Sequence, residues 1–313
     1  MTTSTRDSDV SVPAPEDTPR VPGRRLPRAA RIALLLAPAL IVVAIFFVGG
    51  VWQTVAQSFG YQPYLPGYQL SFDAYRAVWS DPAVRASLPL TARVAGVSTV
   101  LAMVLGVAVA LTIRGLGRRS RSMVTALVGS TLAVPHLVGA LCMLLLLSQS
   151  GLLARLGYAL GLTSGIAAFP ELTNDRAGVA VIAEYVWKEA PFIAVIALAA
   201  LGSGVDELER AATSLGAGRR QRLVHVTLPM LAPSVAGAAV LVFAFAAGSY
   251  EVPYLLGRPY PATLPVVAFQ YYSATDLTSR PMAMAIAVTI TVTSSALVLV
   301  YLAVVGRLAR RAP

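Results

Sequence analysis

Few side chains in this chain of 313 residues could carry reaction chemistry. There is one lysine, Lys188, one cysteine, Cys142, and two histidines, His136 and His225. A phosphate-cradling P-loop needs a lysine followed by Ser or Thr after a glycine-rich turn. Lys188 instead stands between Trp187 and Glu189, so ATP hydrolysis has no seat here. The histidines form no His-x-x-x-His or Glu-x-x-His pair of the metal-ligating kind, and one cysteine excludes an intramolecular disulfide or a multi-cysteine metal site. No Gly-x-Ser-x-Gly elbow offers a nucleophile. His136, next to Pro135, reads as a packing or pore-wall residue, and His225 as a solvated loop residue. The chain is expected to be no enzyme, with no catalytic residue, no metal and no cofactor of its own.

What remains is a small set of charges inside apolar surroundings: Arg93, Glu184, Lys188, Glu189 and Glu251. Placing a charge in a bilayer costs at least about 2.5 kcal/mol, so such residues face protein or a water-filled cavity. Glu184 and Lys188 are i,i+4 on one helix, and a structural pair between them is expected. Glu251 follows Tyr250 and has no local partner. The helical rise places Glu251 and Glu184 at comparable depth towards the outer side. Tyr250, Glu251, Glu184, Lys188 and Trp187 are therefore the candidate lining of a solute path. An ion-coupled secondary transporter is the other class of protein that such charges would suit.

The elements that hold these residues are membrane spans. The chain is 56% hydrophobic and 13% charged, whereas a soluble domain carries about 25% charged residues. Six apolar runs reach the roughly 20 residues that a bilayer-spanning helix needs. They lie near Ile32–Val55, Leu90–Ile113, Met123–Leu147, Gly178–Leu201, Ser234–Leu256 and Met282–Val305. With the N-terminus inside, 17 arginines fall on cytoplasmic segments and 6 on outer loops. That is the bias of the positive-inside rule, and it places both termini in the cytoplasm. The net charge of +10 is thus spread over four short segments, not gathered on a face that could bind nucleic acid. The first run is too long for a signal peptide and is read as a retained helix. Residues 1–30, poor in apolar side chains, are expected to be a disordered cytoplasmic tail. Tyr61, Tyr64, Tyr68, Trp79, Tyr260, Tyr271 and Tyr272 belong to the outer side, either as an interfacial aromatic belt or as a docking surface for an extracellular protein. The fold class is an all-α, six-span membrane protein: tail 1–30, then a membrane domain over 31–313.

One cytoplasmic connection is patterned. The loop 202–233 opens with Ser203-Gly204-Val205-Asp206, a capping-box start. Leu208, Ala211, Ala212 and Leu215 follow at i, i+3, i+4, i+7 and share one face of a short helix. Gly216 suits the left-handed residue that ends a helix. A second helical segment, Arg219–Leu228, is expected to stop at Pro229. The apolar stripe lies either on the chain's own helix ends or headgroups, or against another protein.

The run Glu209-Arg210-Ala211-Ala212-Thr213-Ser214-Leu215-Gly216, nine residues beginning with Ala217, then Val226-Thr227-Leu228-Pro229, resembles the EAA loop of permease subunits of bacterial binding-protein-dependent ABC importers. That pattern is Glu-Ala-Ala, three residues, Gly, nine residues, an aliphatic residue, any residue, Leu-Pro. One position departs from it: Arg210 stands where the pattern has glutamate, with Glu209 one residue earlier. Trp187-Lys188 followed by Pro191-Phe192 is similar to the fourth span of such permeases. The resemblance implies a subunit of the bacterial inner membrane that works with two ATP-binding subunits using ATP and Mg. It also implies a second permease subunit and an extracellular or periplasmic solute-binding protein. It assigns Glu209, Arg210, Ala211, Ala212, Leu215, Gly216, Val226, Leu228 and Pro229 to coupling with the ATPase. Leu215 before Gly216, and the run Gly248-Ser249-Tyr250-Glu251-Val252-Pro253, resemble the spermidine/putrescine-type group. That implies a polyamine or other small cation, against iron, sulfate, phosphonate, thiamine or sugar as the other solutes of this family.

Overall fold

A computed structural model describes residues 27–165, 168–202 and 204–309. Most of the expected 1–30 tail lies outside the described residues, as does Ser203 of the expected capping box. The chain divides into two units, 1–50 and 51–313. The described part of the first belongs to α1 (Arg28–Ser58). Leu35, Phe46 and Phe47 of this helix are exposed in the single chain, an apolar surface that needs lipid or another helix to cover it.

The second unit continues with α2 (Asp73–Ser80), α3 (Pro82–Gly115), α4 (Arg118–Leu132), α5 (His136–Leu147), α6 (Leu152–Ala159) and α7 (Val179–Leu201). Then come α8 (Val205–Ser214), α9 (Arg219–Arg222), a π-helical turn (Leu223–Thr227) and α10 (Leu228–Gly248). The last elements are α11 (Glu251–Leu256), α12 (Leu264–Ser273) and α13 (Arg280–Ala309). No strand occurs among the described residues. Five stretches are long and apolar enough to cross a membrane: Ala30–Ser58, Pro82–Gly115, His136–Ala159, Arg219–Gly248 and Leu277–Ala303. The sixth, α7, has the length but carries Glu184, Lys188 and Glu189.

Helices α3 and α7 form the centre of the second unit through small side chains. Ala102 and Ala110 of α3 are fully buried with Ile193 and Ala197 of α7, and a Cβ on Gly106 would lie 2.7 Å from the Ala190 carbonyl oxygen. Small residues let backbones approach, which is how helices gain packing where lipid removes the hydrophobic drive between them.

Two expected spans are broken by proline. The run Met123–Leu147 is interrupted between α4 and α5. Pro135 has no N–H for the Thr131 carbonyl and pushes Val134 out of helical geometry. The run Ser234–Leu256 ends early, at Gly248, with Ser249 extended at ψ 134°. A continuous helix would drive the Pro253 ring into the Ser249 carbonyl, so Glu251 starts a separate short helix rather than lying inside a span. Pro229, by contrast, does not stop its helix. It lies in the first turn of α10, directly after a π turn in which Leu228 N–H bonds back to the Leu223 carbonyl, and this wider i→i+5 register carries the chain into α10 without a break.

Candidate functional site

The charges of α7 gather at the α4–α5 break. Lys188, 5% exposed, donates to the carbonyls of Thr131 at 2.6 Å and Leu132 at 3.1 Å. Both carbonyls lose their i+4 N–H partners when α4 ends, though that of Thr131 also accepts from Val134 N–H, and a cation is favourable at a helix C-terminus. One turn earlier, Glu184 is fully buried with its Oε1 3.3 Å from His136 Nδ1, at the start of α5. Glu189 Oε1 lies 3.5 Å from His136 Nε2. Each end of the broken helix thus meets a charge of opposite sign to its dipole. The expected Glu184–Lys188 pair is not formed, because the break offers each of them a partner that no unbroken span would expose. Gly139 makes the approach possible: a Cβ there would lie 2.9 Å from Glu184 Oε1 and 3.0 Å from the Trp187 ring.

His136 also faces a cavity of about 400 Å³ lined by Phe245, Ser249, Tyr250 and Glu251. Its ring is 4.6 Å from that of Phe245, and Tyr250 stacks on Phe269 at 4.9 Å. The α10–α11 break turns Tyr250 and Glu251 into this space, and both are exposed in the chain. Glu251 and Glu184 are therefore differently placed, one lining the cavity and the other sealed behind His136. Arg93, the remaining charge of the set, donates to the Arg176 carbonyl at 2.9 Å.

At the far end of α7, the patterned loop folds into α8, α9 and the π turn. Gly204 is the cap residue of α8, with no side-chain capping bond. Gly216 has φ 85°, the left-handed turn its residue type suggested. The apolar stripe is not covered by the chain: Leu208 is 50% exposed and Leu215 88%. Ala212, Leu215, Gly216, Ala217 and Val226 line a groove of about 350 Å³ between α8 and the π turn. Arg210 is exposed. Glu209 turns inward, 2.8 Å from Arg114 Nη1 at the end of α3, and also accepts from the Thr227 hydroxyl. The Arg114 guanidinium holds the Glu209 carboxyl below its ordinary range, helped by Thr227 and opposed by partial burial. Nothing in the sequence marked Arg114 as the partner of these acids, since it lies 95 residues from Glu209 and 92 from Asp206.

Residues 102–312 match the family described as binding-protein-dependent transport system inner membrane component. The chain belongs to this family. The permease is 33% identical over 192 residues to a probable molybdenum ABC transporter permease protein of Haloferax volcanii, covering 61% of this chain and 65% of that one. It therefore spans just under two thirds of that relative's length. It is 28% identical over 264 residues to a sulfoquinovosyl glycerol transport system permease protein of Agrobacterium fabrum, covering 78% and 82%. In structure, the permease is similar to a chain of a bacterial ABC transporter for import of alginate. The TM-score is 0.74 at 21% identity, over 91% of this chain and 96% of that one. A second structure of an alginate ABC transporter, in complex with alginate pentasaccharide-bound periplasmic protein, matches with a TM-score of 0.70. This chain thus shares the fold of that transporter chain, helical throughout its described residues. The relatives' names speak of molybdenum and sugars, not of the spermidine/putrescine-type group to which the loop and the Tyr250–Glu251 run were likened.

Proposed function

We propose that this chain is the transmembrane subunit of an ATP-driven solute importer. It pairs with a second permease subunit, identical or different, and takes solute from an extracellular or periplasmic binding protein. Two ATP-binding subunits, which use ATP and Mg, drive it through the loop 202–233. It binds no cofactor itself. Residues 1–30 form a cytoplasmic tail, 31–313 the membrane domain, and both termini face the cytoplasm. The observation that carries this reading is the loop tip. Leu215 stands 88% exposed beside a groove that Ala212, Gly216 and Val226 share with Gln221, Arg222 and His225, an apolar knob on a mixed surface that suits burial by a partner protein. The contacting set is Glu209, Arg210, Ala211, Ala212, Leu215, Gly216, Val226, Leu228 and Pro229, with Glu209 acting from within the loop rather than at its surface.

Glu251 and Tyr250 line the solute path, while Glu184, Lys188 and Trp187 support it from behind. A carboxylate and an aromatic ring at one cavity suit a cation, by charge and by cation–π contact, or a neutral sugar stacked on Tyr250. They oppose an oxyanion such as molybdate. A polyamine-type cation remains the reading from the residues, and a sugar is the second reading, favoured by the names of the sulfoquinovosyl glycerol and trehalose/maltose relatives. The coupling role is tested by Ala212→Glu in the assembled complex, which places an unpaired charge in the buried contact. Uptake per ATP hydrolysed should collapse with membrane insertion intact, and an unchanged ratio would remove the reading.

A further inference from the structure

Two carboxylates of the loop converge on one guanidinium from another span. Arg114, in the last turn of α3, reaches Glu209 Oε1 with Nη1 at 2.8 Å and Asp206 Oδ1 with Nη2. Asp206 and Glu209 are i,i+3 on α8 and so project from one face. The planar fork of arginine can serve both at once. The Arg114 and Glu209 side chains are 21% and 20% exposed, well short of the open surface where ion pairs contribute almost nothing. Glu209 Oε1 also accepts from Thr227, the last residue of the π turn that runs into α10. One carboxylate oxygen is therefore shared between the end of α3 and the start of α10. Next to this clasp, Val205 at the start of α8 is fully buried in a cluster containing Ala110 of α3, Leu201 of α7 and Leu231 of α10.

The chain itself connects α8 only to α7 and, through α9 and the π turn, to α10. Helix α3 joins by side chains alone. We infer that Arg114 is a positioning residue that clamps α3 to the coupling loop, so that α3, α7 and α10 are displaced as one body when the loop tip is pushed. This deepens the coupling role proposed above and rests on it. Displacement of the tip at Leu215 and Gly216 reaches α7 and α10 through peptide bonds and the middle of α3 through its packing on α7, but it reaches the loop-side end of α3 through the guanidinium and the small Val205 contact. Without the clamp, the loop-side end of α3 lags behind the loop while its middle still follows α7.

The test uses the complex with its own ATPase subunits, reconstituted in liposomes, and reads solute taken up per ATP hydrolysed. R114Q should lower that ratio several-fold, and R114K, which keeps the charge but not the fork, should recover part of it. Should R114Q assemble poorly, E209Q and D206N each remove one carboxylate at constant shape and should each lower the ratio by less. In a C142A background, R114C/E209C should be uncoupled as free thiols. Bridging the two with a short reducible bis-thiosulfonate should restore the ratio, because the two sites need not move apart. A wild-type ratio in R114Q, or a bridged complex that cannot transport, overturns the clamp. A212E separates the two readings: if A212E uncouples and R114Q does not, only this inference fails, whereas normal coupling in A212E removes the loop's role altogether.

Discussion

The Lys188 ammonium sits 2.6 Å from the carbonyl oxygen of Thr131, at the open end of α4. Pro135 creates that open end, and α7 supplies the charge that closes it. Lys188→Met removes the donor and leaves Glu184 and Glu189 with only His136 between them. Leaving a buried acceptor without its donor costs about 1–3 kcal/mol. The expected outcome is a large drop in the melting temperature of the purified protein in detergent, with Lys188→Arg losing less. An unshifted melting curve would show that the break is held by packing alone.

Gly216 has φ 85°, and a Cβ there would meet no atom of this chain within 4 Å. Any other residue pays the left-handed penalty of roughly 1–2 kcal/mol, and a β-branched one pays more. Gly216→Val should therefore insert and fold, yet lose uptake per ATP hydrolysed, because the added bulk meets only the partner. Gly216→Ala should fall between. Normal uptake by an assembled Gly216→Val complex would place the contact elsewhere.

Glu251→Gln keeps the shape of the cavity lining and removes its charge. If the solute is a cation, transport should slow several-fold; if it is a neutral sugar, the rate should barely change; if it is an oxyanion, transport should speed up. Uptake of radiolabelled polyamine, disaccharide and molybdate by liposomes carrying each form of the complex separates the three, and only the first outcome supports the cation reading.

The Glu209 carboxyl is held below its ordinary value, first by its hydrogen bond to Arg114. Because its folded-state pKa is depressed, its contribution is complete above the ordinary glutamate value, about 4.3, and is lost as pH falls through the lower folded value. Hydrogen exchange in α8 should accordingly be unchanged between pH 8 and pH 6 after correction for intrinsic rates. It should rise only in strongly acid solution. Glu209→Gln should abolish that acid step.

Orientation is checked by single cysteines at Ser120 and Ser273 in a Cys142→Ala background, both positions being exposed in the chain. An impermeant thiol reagent added to intact cells should label the second and spare the first. Labelling of both would contradict cytoplasmic placement of the arginine-rich segments.

Composition and periodicity were enough to establish a multi-span helical membrane protein, because a bilayer imposes length and apolarity on each span residue by residue. The run from Ala211 to Pro229 likewise carried the resemblance to the family, and Gly216 its left-handed turn, since both are local properties of a short segment. Proline was legible as a residue but not in its effect. Pro229 follows a π turn within a continuous helix while Pro135 and Pro253 break their runs. Lys188 shows the same division. Its i,i+4 spacing from Glu184 pointed to a pair within one helix, yet the carbonyls of Thr131 and Leu132 and the ring of His136 took the two charges instead. Arg114 and Glu209 lie 95 residues apart and carry no mark of each other in sequence. An ion pair between elements is decided by where packing brings the chain ends together, and in this protein the close approach of α3 to α7 through alanine and glycine made that decision.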